Sequence, residues 1–135
     1  MADERSEAEP VAVVRTLVAA LNRGATDDAL QLCADDIVLW SPGIDLGGQL
    51  IRGKEALRQQ LEFSEAAWPG TWISIDAVVA SGERVALEMT IVVSSDGESV
   101  VQPMSAFYTV RDGLVVEQRS YFDLGALDRR LSEES

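Results

Sequence analysis

The chain contains no histidine in 135 residues. Without imidazole there is no His general acid or base, no Ser-His-Asp or Cys-His nucleophile system, and none of the usual zinc or non-haem iron ligand sets. Cysteine is almost as scarce: Cys33 stands alone, so no internal disulfide forms, in agreement with a reducing compartment. Within Leu30-Gln31-Leu32-Cys33, and with no histidine to activate it, Cys33 reads as a small buried residue rather than a nucleophile. Any chemistry falls to carboxylates, hydroxyls, Tyr, Trp or Arg, and neither a metal nor a cofactor is expected.

Positive charge is also in short supply, with 11 Lys and Arg against 23 Asp and Glu, a formal net charge of -12. Polyanion binding needs clustered cations that displace counterions, so nucleic acid is not an expected partner. The nearest approach to a basic cluster, Arg129-Arg130, stands beside Asp128, Glu133 and Glu134 and reads as a solvated face. No run of 18 apolar residues is present, and the opening Met-Ala-Asp-Glu-Arg is acidic where a signal peptide would be basic and then apolar. The expectation is a cytoplasmic protein with no membrane contact.

What is present is an ordinary globular composition, 47% hydrophobic and 25% charged, in a length that suits one domain. Residues 1–9 are polar and aperiodic and are expected to be a disordered tail; residues 10–135 form the domain. Pro10 suits a first helical turn, and Val11, Val14, Leu17, Val18 and Leu21 then recur at helical spacing until Gly24. Thr26 before Asp27 and Asp28 is an N-cap pattern for a short second helix. A third helix over 53–67 carries Leu57, Leu61, Ser64 and Trp68 on one line.

Two short strands, Ile37 to Trp40 and Gln49 to Arg52, flank a Pro-Gly-rich loop. From Trp72 onward the period changes from 3.6 to 2. Long strands over Trp72 to Val79, Val85 to Val93, Val100 to Val110 and Leu114 to Phe122 are separated by turns at Ser81-Gly82, Asp96-Gly97 and Asp112-Gly113. Pro103 cannot donate a ladder bond and implies a bulge or an edge. Helices followed by a long antiparallel meander point to an α+β fold in which the sheet bends and lays its concave side against the helices.

The segments Leu21-Asn22-Arg23-Gly24, Cys33-Ala34-Asp35-Asp36-Ile37-Val38, Ile51-Arg52-Gly53-Lys54-Glu55-Ala56-Leu57 and Val110-Arg111-Asp112-Gly113-Leu114-Val115 resemble SnoaL-like members of the NTF2-like superfamily. The ending Arg119-Ser120-Tyr121-Phe122-Asp123-Leu124 is similar to the last strand of the limonene epoxide hydrolase branch. The resemblance covers roughly residues 10–131. It implies an α+β NTF2-like cone: three N-terminal helices packed on a strongly curved, mainly antiparallel six-stranded sheet, with a deep pocket between them. Members include ketosteroid isomerases, polyketide cyclases and epoxide hydrolases, and others bind without catalysing.

Set against those relatives, the familiar catalytic positions are neutral. The ketosteroid isomerase triad falls on Leu17, Ser41 and Ala106; the limonene hydrolase set falls on Met89, Ile91 and Ser120. Ser120 also stands where the cyclases place their late-strand Asp. With Ser120 inward, strand parity turns Val116, Gln118 and Phe122 inward as well, together with Met89, Ile91, Met104, Ala106 and Tyr108. Trp40, Phe63, Trp68 and Trp72 lie in segments near the expected mouth. Such a lining suits a hydrophobic polyketide, terpenoid or steroid-like molecule, although each aromatic also fits plain core filling.

The candidate acids are Asp45, in the loop after the first strand, Glu65, flanking the third helix, and Glu88; Asp45 and Glu65 also fit solvated surface charges. On the outer face, Glu88, Thr90, Glu117, Arg119 and Tyr121 are expected to form a homodimer interface. Asp123 is expected to cap a short closing helix. Three functions remain open: a cofactor-independent epoxide hydrolase, cyclase or isomerase; a non-catalytic ligand-binding or accessory module; and a purely dimerising scaffold, which would require the pocket to be filled by side chains. Ten Arg to one Lys hints at a GC-rich bacterial genome and a natural-product setting.

Overall fold

A computed structural model describes residues 2–42, 48–95 and 97–122. The order of elements is α1 (Ala2–Asn22), α2 (Thr26–Gln31), β1 (Cys33–Ser41), β2 (Gln49–Arg52), α3 (Lys54–Ala67), β3 (Trp72–Ser81), β4 (Arg84–Ser95), β5 (Glu98–Arg111) and β6 (Leu114–Tyr121). Three helices and six strands are those the residue periods foresee, and the six strands form one sheet in the order β2-β1-β6-β5-β4-β3. β1 runs parallel to β6, and every other pairing is antiparallel.

The apolar stripe of α1 buries Val14, Leu17, Val18 and Ala20. Its end is a Schellman arrangement: Gly24, at φ 68, lets its own N–H reach Leu21 O and the next N–H reach Ala20 O. At its start the structure departs from the expected tail. The helix already runs from Ala2, with Pro10 inside it rather than in the first turn. Ala, Glu and Arg dominate the stretch before Pro10 and are strong helix formers, which offsets the one backbone bond that proline removes. Thr26 is likewise the first residue of α2 and not its cap; Ala25 holds that place, with no side-chain capping bond.

Three irregularities interrupt the ladders. Asp76 is an extra residue in β3, Val116 is an extra residue in β6, and β1 shifts register between Cys33 and Val38. Bulges of this kind bend a strand and increase its twist. Pro103, where a bulge or edge was expected, sits in an unbroken ladder opposite Thr90. The last β5–β6 pair is Ser105 with Tyr121, so Pro103 lies past the paired part of β6 among the described residues. There β5 has β4 alone beside it, and a missing N–H on the other side leaves no ladder bond unmade.

The core lies between α1, α2 and the inner face of the sheet. Leu30 of α2 and Leu87, Val85 and Val115 of the strands are almost fully buried there. Because β3 is an edge strand, its backbone is open to a partner, and Asn22 supplies one. The Ile73 N–H donates to Asn22 Oδ1 at 2.8 Å, and Asn22 Nδ2 donates to Ile73 O at 2.8 Å. One side-chain amide thus fastens the end of α1 to the sheet edge. No helix among the described residues is long and apolar enough to cross a membrane.

Candidate functional site

The strand registers lay out the inner face as rows of side chains. Ile73 stands beside Ile91, which stands opposite Gln102; Ile75, Met89 and Met104 form the next row. Ala106 is opposite Ser120, and Tyr108, Gln118 and Leu39 make the row after that. Alternate residues share a face, so these rows continue the face that carries the core residues Val85 and Leu87. Burial grades along it: Tyr108, Ala106, Met89 and Ser120 are buried, whereas Ile73, Ile91, Met104, Gln118 and Leu39 are half-buried. Burial is uneven along the face: beyond half-buried Ile91, its neighbours Gln102, Val93 and Val100 are buried again.

Of the residues expected to line a pocket, Leu17, Met89, Ala106 and Tyr108 belong to the closed core. Ile91, Met104, Gln118 and Ser120 hold the inner-face positions expected of them, and Ser41, half-buried at the end of β1, follows Leu39 in the same parity. Phe122 is half-buried just past β6. Phe63, at 65% exposure, stands in the second half of α3, and Trp68, at 38%, is the residue that closes the helix just past Ala67.

Three expectations need correction. Trp40 is paired with Arg119 and lies on the outer face, its ring 5.3 Å from that of Tyr121 and 5.2 Å from the Arg119 guanidinium. Trp72, opposite Val92 on the edge strand, also takes the outer parity and is exposed. The extra residue at Val116 puts Val115, and not Val116, inside.

The candidate acids are not brought together. Asp45 lies outside the described residues, as do Asp123 and the expected closing helix. Glu65 is exposed, with its carboxylate beside Gly24 at the α1–α2 turn, rather than in the inner rows. Among the described residues these rows carry no carboxylate, Lys or Arg. Their neutrality extends to the titratable groups at the bottom of the core. Burial raises the Cys33 thiol to about 11 against a small opposing pull from Lys54, and burial, helped by Cys33, raises the Tyr108 phenol. Both are un-ionised at neutral pH.

Among the described residues, the polar groups of these inner rows are the amides of Gln102 and Gln118 and the hydroxyls of Tyr108 and Ser120. Gln118 Nε2 donates to Ser120 Oγ at 3.1 Å. Gln102, buried to 6% exposure, was not expected there. Its even number continues the inward parity of Met104, but the expected bulge at Pro103 would have reversed that parity. Asn22 was also missed, because its role depends on which strand is the sheet edge.

The outer face holds two open concavities of about 400 and 290 Å³. The larger lies among Arg84, Ser105, Phe107, Arg119 and Tyr121. Glu88, Thr90, Glu117, Arg119 and Tyr121 all have the outward parity expected of them.

The model of the SnoaL-like domain matches residues 14–118. The chain belongs to the SnoaL-like family. Solved structures agree in fold with this SnoaL-like chain. An NTF2-like protein from Burkholderia xenovorans is 30% identical, with 91% of this chain and 95% of that one covered at a TM-score of 0.72. A putative SnoaL-like polyketide cyclase from Jannaschia is 20% identical, with 90% of each chain covered at 0.78. An LEH-like epoxide hydrolase from M. tuberculosis is 23% identical, with 94% and 92% covered at 0.77. No protein of curated function matches this SnoaL-like chain.

Proposed function

We propose that this SnoaL-like chain takes a hydrophobic, oxygen-bearing molecule of polyketide, terpenoid or steroid type against its inner face. There it promotes epoxide opening, ring closure or isomerisation without a cofactor. The observation that carries this reading is the make-up of the inner face. Ile91, Met104 and Leu39 offer apolar contact, while Gln118 and Ser120 offer hydrogen bonds without charge. Such a floor binds an apolar guest by burial and orients its oxygens. Proton transfer is left to a carboxylate from the rim, and Asp45 is the better placed in sequence, since Glu65 faces the α1–α2 turn. The structural neighbours described as a polyketide cyclase and an epoxide hydrolase support the same direction.

Incubation with a panel of hydrophobic epoxides in heavy-oxygen water tests it. Labelled diols or cyclised products are expected and should be lost in Asp45→Asn. Recovery of every substrate unchanged sinks the catalytic reading. A binding or accessory module is the second reading, favoured by the un-ionised floor; it predicts saturable retention without turnover in native mass spectrometry.

The outer face is proposed to pair with a second copy of the chain. Phe107 and Tyr121 are each 40% exposed on it and meet edge to face with centroids 5.8 Å apart. A two-fold contact brings a patch against itself, so it needs both signs of charge, and Arg84 and Arg119 share this face with Glu88 and Glu117.

A further inference from the structure

Arg23, Lys54, Arg58 and Arg111 each stand beside a carboxylate, that of Asp28, Asp35, Asp27 and Glu83 in turn. Arg84 and Arg119 have no such partner among the described residues, although acidic residues outnumber basic ones 23 to 11. Arg15 and Arg52 also lack an ion pair, but they line neither outer concavity. Arg84 and Arg119 line the same one, of about 400 Å³, together with Ser105, Phe107 and Tyr121. They reach it from the two sides of β5: Arg119 of β6 is opposite Phe107, and Arg84 of β4 is opposite Thr109, the next residue of β5 on that face. Glu88, opposite Ser105, and Glu117, opposite Thr109, are close in register, yet neither lines the concavity or pairs with either arginine. The Arg119 guanidinium is held in place. Its Nε donates to Tyr121 Oη at 3.1 Å, and its carbon lies 5.2 Å from the centre of the Trp40 ring. This leaves the two Nη groups, a fork that can grip a carboxylate by two parallel bonds.

We propose that this outer concavity is a second binding site, for a flat aromatic carboxylate. The ring system packs on Phe107 and Tyr121, and the carboxylate is held between Arg84 and Arg119, with the Ser105 hydroxyl as a further donor. The volume lies in the range of small-ligand sites. The net charge of -12 opposes any anion, but salt screens charges more than about 8 Å away, so the two arginines at the site outweigh distant carboxylates. A polyanion would spread its charge over the acidic surface, whereas a monoanion keeps its one charge at the arginines. The inference is independent of what the inner face binds. It shares its residues with the proposed pairing of copies, so a second copy competes with the ligand.

Equilibrium dialysis of 2-naphthoate and 2-naphthamide, alike in shape and different in charge, tests it on the wild type and on Arg84→Gln combined with Arg119→Gln. Protein is taken through a dilution series, and the most dilute sample decides, since a second copy competes least there. The wild type is expected to bind the carboxylate about tenfold more tightly than the amide. In the double variant the two probes bind alike. Arg84→Gln alone, at an exposed position, should lose part of the preference and takes the place of the double variant if that fails to fold. Equal binding of the two probes by the wild type, a preference that survives the substitutions, or no binding of 2-naphthoate overturns the proposal. Light scattering on the ligand-free protein judges the pairing separately, so either can fail without the other.

Discussion

Asn22 does with one amide what a seventh strand would do along a whole edge. Its two bonds to Ile73 satisfy both backbone groups of a residue on the open side of β3 and hold the C-terminal end of α1 in place. Asn22→Ala leaves a part-buried N–H and C=O without partners, and urea unfolding should show a loss of about 1–3 kcal/mol. Asn22→Asp keeps the acceptor and loses the donor, so an intermediate loss is expected. Cys33 gives a pH signature. Its folded-state value of about 11 lies above its ordinary 9.0 because burial disfavours the thiolate. Stability from the neutral thiol is complete below pH 9.0 and is lost as the pH rises through about 11. Tyr108, raised by burial in the same core, extends the loss further into alkali. The thiol accounts for on the order of 2–3 kcal/mol, and Cys33→Ala should flatten the fall between those two pH values when unfolding free energy is followed against pH.

Among the elements, the hairpins show what can be read from sequence and where reading stops. At Asp112-Gly113 both residues have positive φ, 54 and 78, the geometry of a type I′ turn whose twist matches its strands. Gly113→Ala meets no crowding closer than 3.8 Å, so its expected cost of about 1–2 kcal/mol comes from the backbone alone. Asp112→Asn should be close to neutral, and thermal melts of the two variants separate the effects. The turn was legible because turn chemistry is local. Strand limits were legible for the same reason, since a period of two needs only neighbouring residues. The bulges at Asp76 and Val116 were not, because a bulge is a relation between two strands, and each one reverses which residues face the core. Val79 shows the effect: after the Asp76 bulge it is 70% exposed, while Val78 turns toward the core. Trp40 was misplaced for a related reason. Its face is decided by parallel pairing with β6, some eighty residues away in the chain, and the inner site was legible only where a ladder stayed regular, as at Met104, Gln118 and Ser120.

At the scale of the whole molecule, the two faces of the sheet divide the properties of the chain between them. The inner face is mainly apolar and un-ionised, while the outer face gathers exposed aromatics beside Arg84 and Arg119 in a molecule of net charge -12. Two such molecules repel at long range, so the proposed pairing would have to come from short-range contact: burial of Phe107 and Tyr121, and cross-pairing of Arg84 and Arg119 with Glu88 and Glu117. Light scattering coupled to size exclusion should give twice the chain mass of 14.6 kDa for the wild type at micromolar concentration. Phe107→Glu places a charge in the middle of the apolar contact and should weaken pairing by about 2–4 kcal/mol, enough to shift the species to monomer. Added salt tells the two contributions apart. It screens the repulsion between like-charged molecules and the Arg–Glu pairs together, so an apolar contact strengthens with salt and one held by ion pairs weakens. Circular dichroism unchanged in Phe107→Glu would confirm that the fold itself is intact, since residue 107 faces away from the core. A wild type that elutes and scatters as a single chain at every salt concentration would sink the paired outer face, while leaving the un-ionised inner face untouched.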